Sequence, residues 1–78
     1  MRQHRLSVKQ RYDLITGAFG TQNYELSVKQ LTDYIRNRTG IVIDPSQVMY
    51  VLDDSDYQTE FIKTCYPNGR VYYEKLSI

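Results

Sequence analysis

Asp44-Pro45-Ser46-Gln47-Val48-Met49-Tyr50-Val51-Leu52-Asp53-Asp54 is the stretch on which the reading of this chain turns. An aspartate directly before a proline marks a helix start. The carboxylate accepts from the first unpaired N–H groups, and proline suits the first helical position because an N–H there would have no intrahelical partner. Gln47, three residues after the cap, can close a capping box. Val48, Val51 and Leu52 then recur at helical spacing and form an apolar stripe. The spacing predicts a short helix over 45–54, with Ser46 and Gln47 at its start and Tyr50 on its exposed side.

Downstream, residues 59–66 and 70–76 are rich in β-branched and aromatic side chains and flank Pro67-Asn68-Gly69. Asn-Gly supplies the positive φ angles of a two-residue hairpin turn. A loop of that length pairs Phe61 with Leu76 and Lys63 with Glu74, an apolar and an opposite-charge pair on one face. Tyr72 and Tyr73 must point to opposite faces, one to the core and one to solvent. Upstream, Ile41-Val42-Ile43 is too short for a helix and suits a brief strand or a buried turn. Before it, residues 28–38 read as a helix capped by Ser27, with Val28, Leu31 and Ile35 inward, Tyr34 at the edge and Gly40 as terminator.

The start of that helix has a counterpart. Leu6 to Ile15 matches Leu26 to Ile35 at seven of ten positions. In each copy a serine caps, a glutamine three residues on completes the box, and a leucine precedes the cap. A solenoid needs more than two copies, so the plain reading is two helices that begin alike. The first spans 8–19, with Val8, Tyr12, Ile15 and Phe19 on one face, Ala18 broadening it, and Gly20 at its end.

Seventy-eight residues suffice for one domain, 1–78, with residues 1–6 as a flexible basic arm. An apolar share of 41% with 24% charged residues argues against disorder. The one cysteine, Cys65, has no partner for an internal disulfide, and small secreted domains usually need several. The expectation is a cytoplasmic protein with Cys65 packed as a small apolar group. No apolar run approaches membrane-spanning length, and the start lacks the apolar core of a signal peptide. Of the eight tyrosines, most should be half-buried packing.

Ten Lys/Arg and nine Asp/Glu leave a net charge of +1, unevenly placed. Arg2, Arg5, Lys9 and Arg11, with His4 among them, fill the first eleven residues without an acid, and Asp53, Asp54, Asp56 and Glu60 form a later acidic block. Such a layout suits a macromolecular partner. Catalysis finds no support: His4 lacks an orienting partner. Asp53-Asp54-Ser55-Asp56 lacks the glycine and the distal glutamate of a calcium loop. No enzyme, metal or cofactor is expected.

The order helix, helix, short strand or turn, helix, hairpin resembles the winged helix-turn-helix family over nearly the whole chain. The implied fold is α+β, three helices with a C-terminal β-hairpin wing. Residues 27–40 look like the scaffold helix, 45–54 like the recognition helix, and 59–76 like the wing, with Asn68-Gly69-Arg70 at its tip. The resemblance implies double-stranded DNA as partner, the third helix in the major groove and the wing on the adjacent backbone or minor groove. It nominates Ser46, Gln47 and Tyr50 for base and phosphate contacts, and Arg36, Arg38, Lys63, Arg70 and Lys75 for phosphates. Arg2, Arg5 and Lys9 would form a basic arm. The N-terminus of the third helix would itself favour an anion.

Three features run against DNA: a third helix without Lys or Arg that ends in Asp53, Asp54 and Asp56, a turn from Gly40 to Pro45 longer than in the simplest helix-turn-helix units, and a net charge near +1. Two functions therefore stay open. One is a small regulator of transcription or replication of the phage, plasmid or prokaryotic type. The other is a protein-interaction module on the same fold, an inhibitor or adaptor whose acids and tyrosines imitate DNA toward a basic partner. Either admits a homodimer through the first helix or an edge of the hairpin.

Overall fold

The computed structural model describes residues 5–21 and 25–76; Arg2 and His4 lie outside them. Helices α1 (Val8–Thr21) and α2 (Val28–Thr39) begin with the same device. Ser7 Oγ accepts from the Gln10 N–H at 3.1 Å, and Gln10 Oε1 accepts from the Ser7 N–H at 2.8 Å. Ser27 and Gln30 repeat these bonds at 3.2 and 2.8 Å. Each copy also carries an ion pair one turn on, Lys9–Asp13 at 2.8 Å and Lys29–Asp33 at 2.9 Å. The internal similarity is thus two helix starts written in the same residues. The copies diverge where packing takes over: Leu31 is buried, whereas Arg11, its counterpart, is only half-buried.

Helix α1 does not stop at Phe19 but runs through Gly20 to Thr21. A glycine ends a helix by taking the left-handed conformation, and Gly20 does not take it. Gly40 does, at φ 77°, and its N–H closes α2 onto the Arg36 carbonyl at 2.9 Å. The segment 41–43 forms no strand; it is an irregular link that buries Ile43. Helix α3 (Pro45–Asp53) follows, with Val48, Val51 and Leu52 buried as their spacing requires. A 3₁₀ turn (Gln58–Glu60) leads into strands β1 (Phe61–Cys65) and β2 (Val71–Lys75), which pair antiparallel.

The hairpin register differs by one residue from the expected one. Phe61 faces Lys75 and Lys63 faces Tyr73. The cause is the loop, which holds three residues rather than two. The Tyr66 N–H reaches the Arg70 carbonyl at 2.8 Å, and the Gly69 N–H reaches the Tyr66 carbonyl at 2.9 Å. Only Gly69, at φ 86°, is left-handed; Asn68 is not, so the two-residue turn that needs both cannot form. Pro67, with its fixed φ, instead opens a type I turn, and Asn68 Oδ1 accepts from the Arg70 N–H at 3.0 Å. The new register places Lys63 and Lys75 on the inner face with buried Phe61 and Tyr73. Their carboxylates are accordingly not Glu74 but Asp53 and Glu60, at 3.5 and 3.1 Å.

Leu26, just before the α2 cap, joins the sheet from the far side. It exchanges both backbone hydrogen bonds with Tyr73, each at 2.8 Å. The core then gathers Ile15, Ala18 and Phe19 from α1, Leu31 and Ile35 from α2, and the α3 stripe, closed by Leu26, Ile43, Phe61 and Tyr73. The three helices pack on one another, and α1 also packs on β2. Three helices followed by a two-stranded antiparallel hairpin make a small α+β domain consistent with a winged-helix layout. Among the described residues no helix is long and apolar enough to cross a membrane.

Candidate nucleic-acid interface

Because α3 buries Val48, Val51 and Leu52, it must turn Ser46, Met49 and Tyr50 outward. Met49 and Tyr50 are 44% and 46% exposed, and Gln47 lies half-buried beside them. This outer face carries hydrogen-bonding and apolar groups but no charge before Asp53.

The start of α3 is not an open anion site, contrary to expectation. Asp44 Oδ1 accepts from the Ser46 N–H at 2.8 Å and from the Ser46 hydroxyl at 2.6 Å. The Asp44 carbonyl takes the Gln47 and Val48 N–H groups at 2.9 and 3.3 Å. One aspartate therefore satisfies the donors that a phosphate would use, and its charge would oppose one. The Ser46 hydroxyl already donates to Asp44, and its remaining lone pairs suit a base N–H rather than a phosphate oxygen.

The cations separate into two sets. Arg36 and Arg38 lie exposed in the last turn of α2, one short link before α3. Arg36 is 3.2 Å from Asp33, and the Arg38 guanidinium stands 5.8 Å over the Tyr34 ring. Arg70 is exposed just past the hairpin turn and donates to the Tyr72 hydroxyl at 3.4 Å, which helps hold its charge. Lys63 and Lys75 belong to the second set, turned to the inner sheet face and held by Asp53 and Glu60. Arg5 is exposed near the start of α1, and Lys9 is occupied by Asp13.

The acidic block is likewise divided. Asp53 also accepts from the Tyr73 hydroxyl at 3.0 Å, and Glu60 from the Tyr12 hydroxyl at 2.5 Å. Asp54 and Asp56 are the two members left exposed. The tyrosines follow the same pattern. Tyr12 and Tyr57 stack at 3.9 Å, Tyr73 is buried, and Tyr34 and Tyr72 are half-buried. Among the described tyrosines only Tyr50 and Tyr66 are mainly exposed. Cys65, expected to be packed, is exposed instead, at the end of β1 next to the hairpin turn.

The Tyr12–Glu60–Lys75 group should contribute to the pH dependence of stability on both the acid and the alkaline side. The Tyr12 hydroxyl and the Lys75 ammonium hold the Glu60 carboxyl below its ordinary 4.5. Its contribution is complete above that value and lost as the pH falls through the lower folded one. In the opposite direction, the bond to Glu60 pushes Tyr12 up to about 12, so its contribution is complete below about 10 and lost toward 12. Thermal melts should be flat between pH 5 and 9 (roughly the interval between these two windows) and fall on both sides. In Glu60→Gln the acid limb should be shallower; an unchanged limb would remove Glu60 from this role.

Met49 and Leu26 were not singled out as functional or sheet-forming residues by sequence reasoning. Met49 had a faint signal, an apolar residue off the buried stripe of an amphipathic helix; Leu26 had none beyond its place before a cap. No protein-family model and no curated protein matches the chain, and function must be argued from architecture and surface chemistry.

Proposed function

We propose that the chain is a small DNA-binding protein that lays the outer face of α3 in the major groove and sets the hairpin tip on the neighbouring backbone. The observation that carries this reading is α3 itself: a helix anchored by three buried residues whose opposite face offers Ser46, Gln47, Met49 and Tyr50 to a partner. Each has a place in a groove. Gln47 can bond adenine through its amide, Ser46 can accept from a cytosine amino group, and Met49 can meet a thymine methyl. Arg36, Arg38 and Arg70 supply phosphate contacts around that face, with Arg5 and Arg2 as an arm. Lys63 and Lys75 are the weakest of the nominated residues, since Asp53 and Glu60 already neutralise them.

The resemblance in element order to winged helix-turn-helix domains supports the docking mode, and with it a cytoplasmic regulator of transcription or replication. The competing reading, a protein-interaction module, draws support from exposed Met49 and Tyr50, residue types enriched at protein interfaces. It also needs a continuous acidic, tyrosine-bearing patch, and Asp53 and Glu60 are spent on Tyr73, Tyr12 and two lysines. That favours DNA.

The test is fluorescence anisotropy with a mixed-sequence duplex of about 30 base pairs at about 50 and 200 mM salt. Micromolar binding that weakens steeply with salt is expected, and Arg70→Ala should lower the salt slope by about one. Absence of binding at the lower salt would refute the DNA reading and turn attention to a protein partner.

A further inference from the structure

Strand β1 has an uncovered edge. The bonds Leu76 N–H to Glu60 and Tyr66 N–H to Arg70 fix which residues of β1 bond inward to β2. By the alternation of an antiparallel ladder these are Ile62 and Thr64, so the N–H and C=O groups of Lys63 and Cys65 point away from the sheet. On β2 the same alternation turns Tyr73 outward on the opposite side, where Leu26 pairs with it. Phe61, also outward, gives its N–H to the Gln58 carbonyl. Lys63 and Cys65 find no backbone partner among the described residues, and both are exposed. Such an edge is a template for another strand.

We infer that this edge pairs with the β1 edge of a second copy, antiparallel about a two-fold axis through Thr64. The residues of β1 select both the occupant and the register. Pairing about Lys63 would set two lysines directly opposite each other. Pairing about Thr64 sets Lys63 against Cys65 of the second copy, and each exchanges its outward N–H and C=O with the other. Thr64 then faces Thr64 of the second copy. Ile62 and Tyr66, respectively 43% and 39% exposed and on the same outer face, become a cross-strand apolar pair at both ends. Tyr66 is already held on that face, its ring 5.5 Å from that of Tyr72 and its hydroxyl on Glu25. Pro67, without an N–H, ends the ladder where the turn begins. The two hairpins become one four-stranded sheet that places two copies of α3 in a symmetric pair. This inference does not depend on the DNA reading, because its test contains no DNA.

Sedimentation velocity under reducing conditions, over about 1 μM to 1 mM protein (a span chosen to bracket weak association), should show the mass rising toward twice 9.2 kDa. Cys65→Pro removes an outward N–H in each copy and no bond to β2, so it should raise the dimer dissociation constant at least about tenfold with the circular dichroism spectrum unchanged. Ile62→Lys, on the exposed face, should do the same and serves if the proline variant fails to fold. Thr64→Cys in a Cys65→Ser background should cross-link on mild oxidation, because directly opposed non-bonded residues lie about 4.5 Å apart at Cα, within disulfide reach. A wild-type chain that stays monomeric throughout overturns the inference. So does a dimer indifferent to Cys65→Pro and Ile62→Lys, or one that Thr64→Cys cannot trap.

Discussion

Tyr73→Ala is expected to destabilise the protein by about 3–5 kcal/mol. The buried Tyr73 side chain ties the hairpin to α3. The Tyr73 residue is 1% exposed, its hydroxyl bonds Asp53 at the end of α3, and its backbone carries both bonds that tie Leu26 to the sheet. The Lys63 ammonium stands 5.9 Å over its ring. Emptying an aromatic site of this kind costs about 3–5 kcal/mol. A domain of this size has roughly 4–12 kcal/mol in total, so the loss takes a large share of the margin. Tyr73→Phe keeps the ring and gives up only the hydroxyl bond. Asp53 retains Lys63, and the expected cost is about 1–2 kcal/mol, or a drop of roughly 4–15 °C in Tm. Urea titrations followed by circular dichroism distinguish the two variants. An alanine variant within about 1 kcal/mol of the wild type, well below the usual cost of an emptied aromatic site, would show that Tyr73 does not hold the hairpin to α3.

The second large effect concerns recognition. Once a preferred duplex has been obtained by selection from random sequence, Gln47→Ala should weaken binding to it by about 1–3 kcal/mol and leave binding to scrambled duplex nearly unchanged. Gln47 is the one residue at the start of α3 whose side chain can pair bidentately with a base, and the N-terminal donors of the helix are satisfied by Asp44 without it. Arg36→Ala should behave oppositely, lowering affinity for both duplexes alike because a phosphate contact carries no sequence information. Competition anisotropy reads both ratios. Equal losses on both duplexes in Gln47→Ala would take base reading away from this residue.

The candidate interface was legible in outline. Placing Gln47, Tyr50, Arg36, Arg38 and Arg70 on the surface needs only the helix period and the turn positions, both of which are local. What the residues near them had already done with their charges was not legible. Ser46 reads as a phosphate contact, yet its hydroxyl donates to Asp44, a partner two residues away whose geometry depends on how the chain enters the helix. Lys63 and Lys75, which read as phosphate contacts, face carboxylates supplied by α3 and the 3₁₀ turn. The acidic block looked like one feature because its members are neighbours in sequence, although Asp53 and Glu60 are committed in the fold to different elements.

The elements and their order follow from signals that lie close together along the chain. Serine caps, the Asp-Pro start, Gly40 and the apolar spacings act over about four residues, so no distant partner is needed to read them. The tertiary structure decided the rest. Asn-Gly by itself occurs in loops of two and of three residues, and a shift of one residue exchanges the faces of a strand. The three-residue loop places Phe61 and Tyr73 together on the inner face, where the core can cover both. Leu26 joins the sheet only because α1 and α2 hold it beside β2. Tyr12 and Glu60 meet across 48 residues, Tyr73 and Asp53 across 20. Contacts at such separations depend on how the elements pack together, and no local pattern in the chain encodes them.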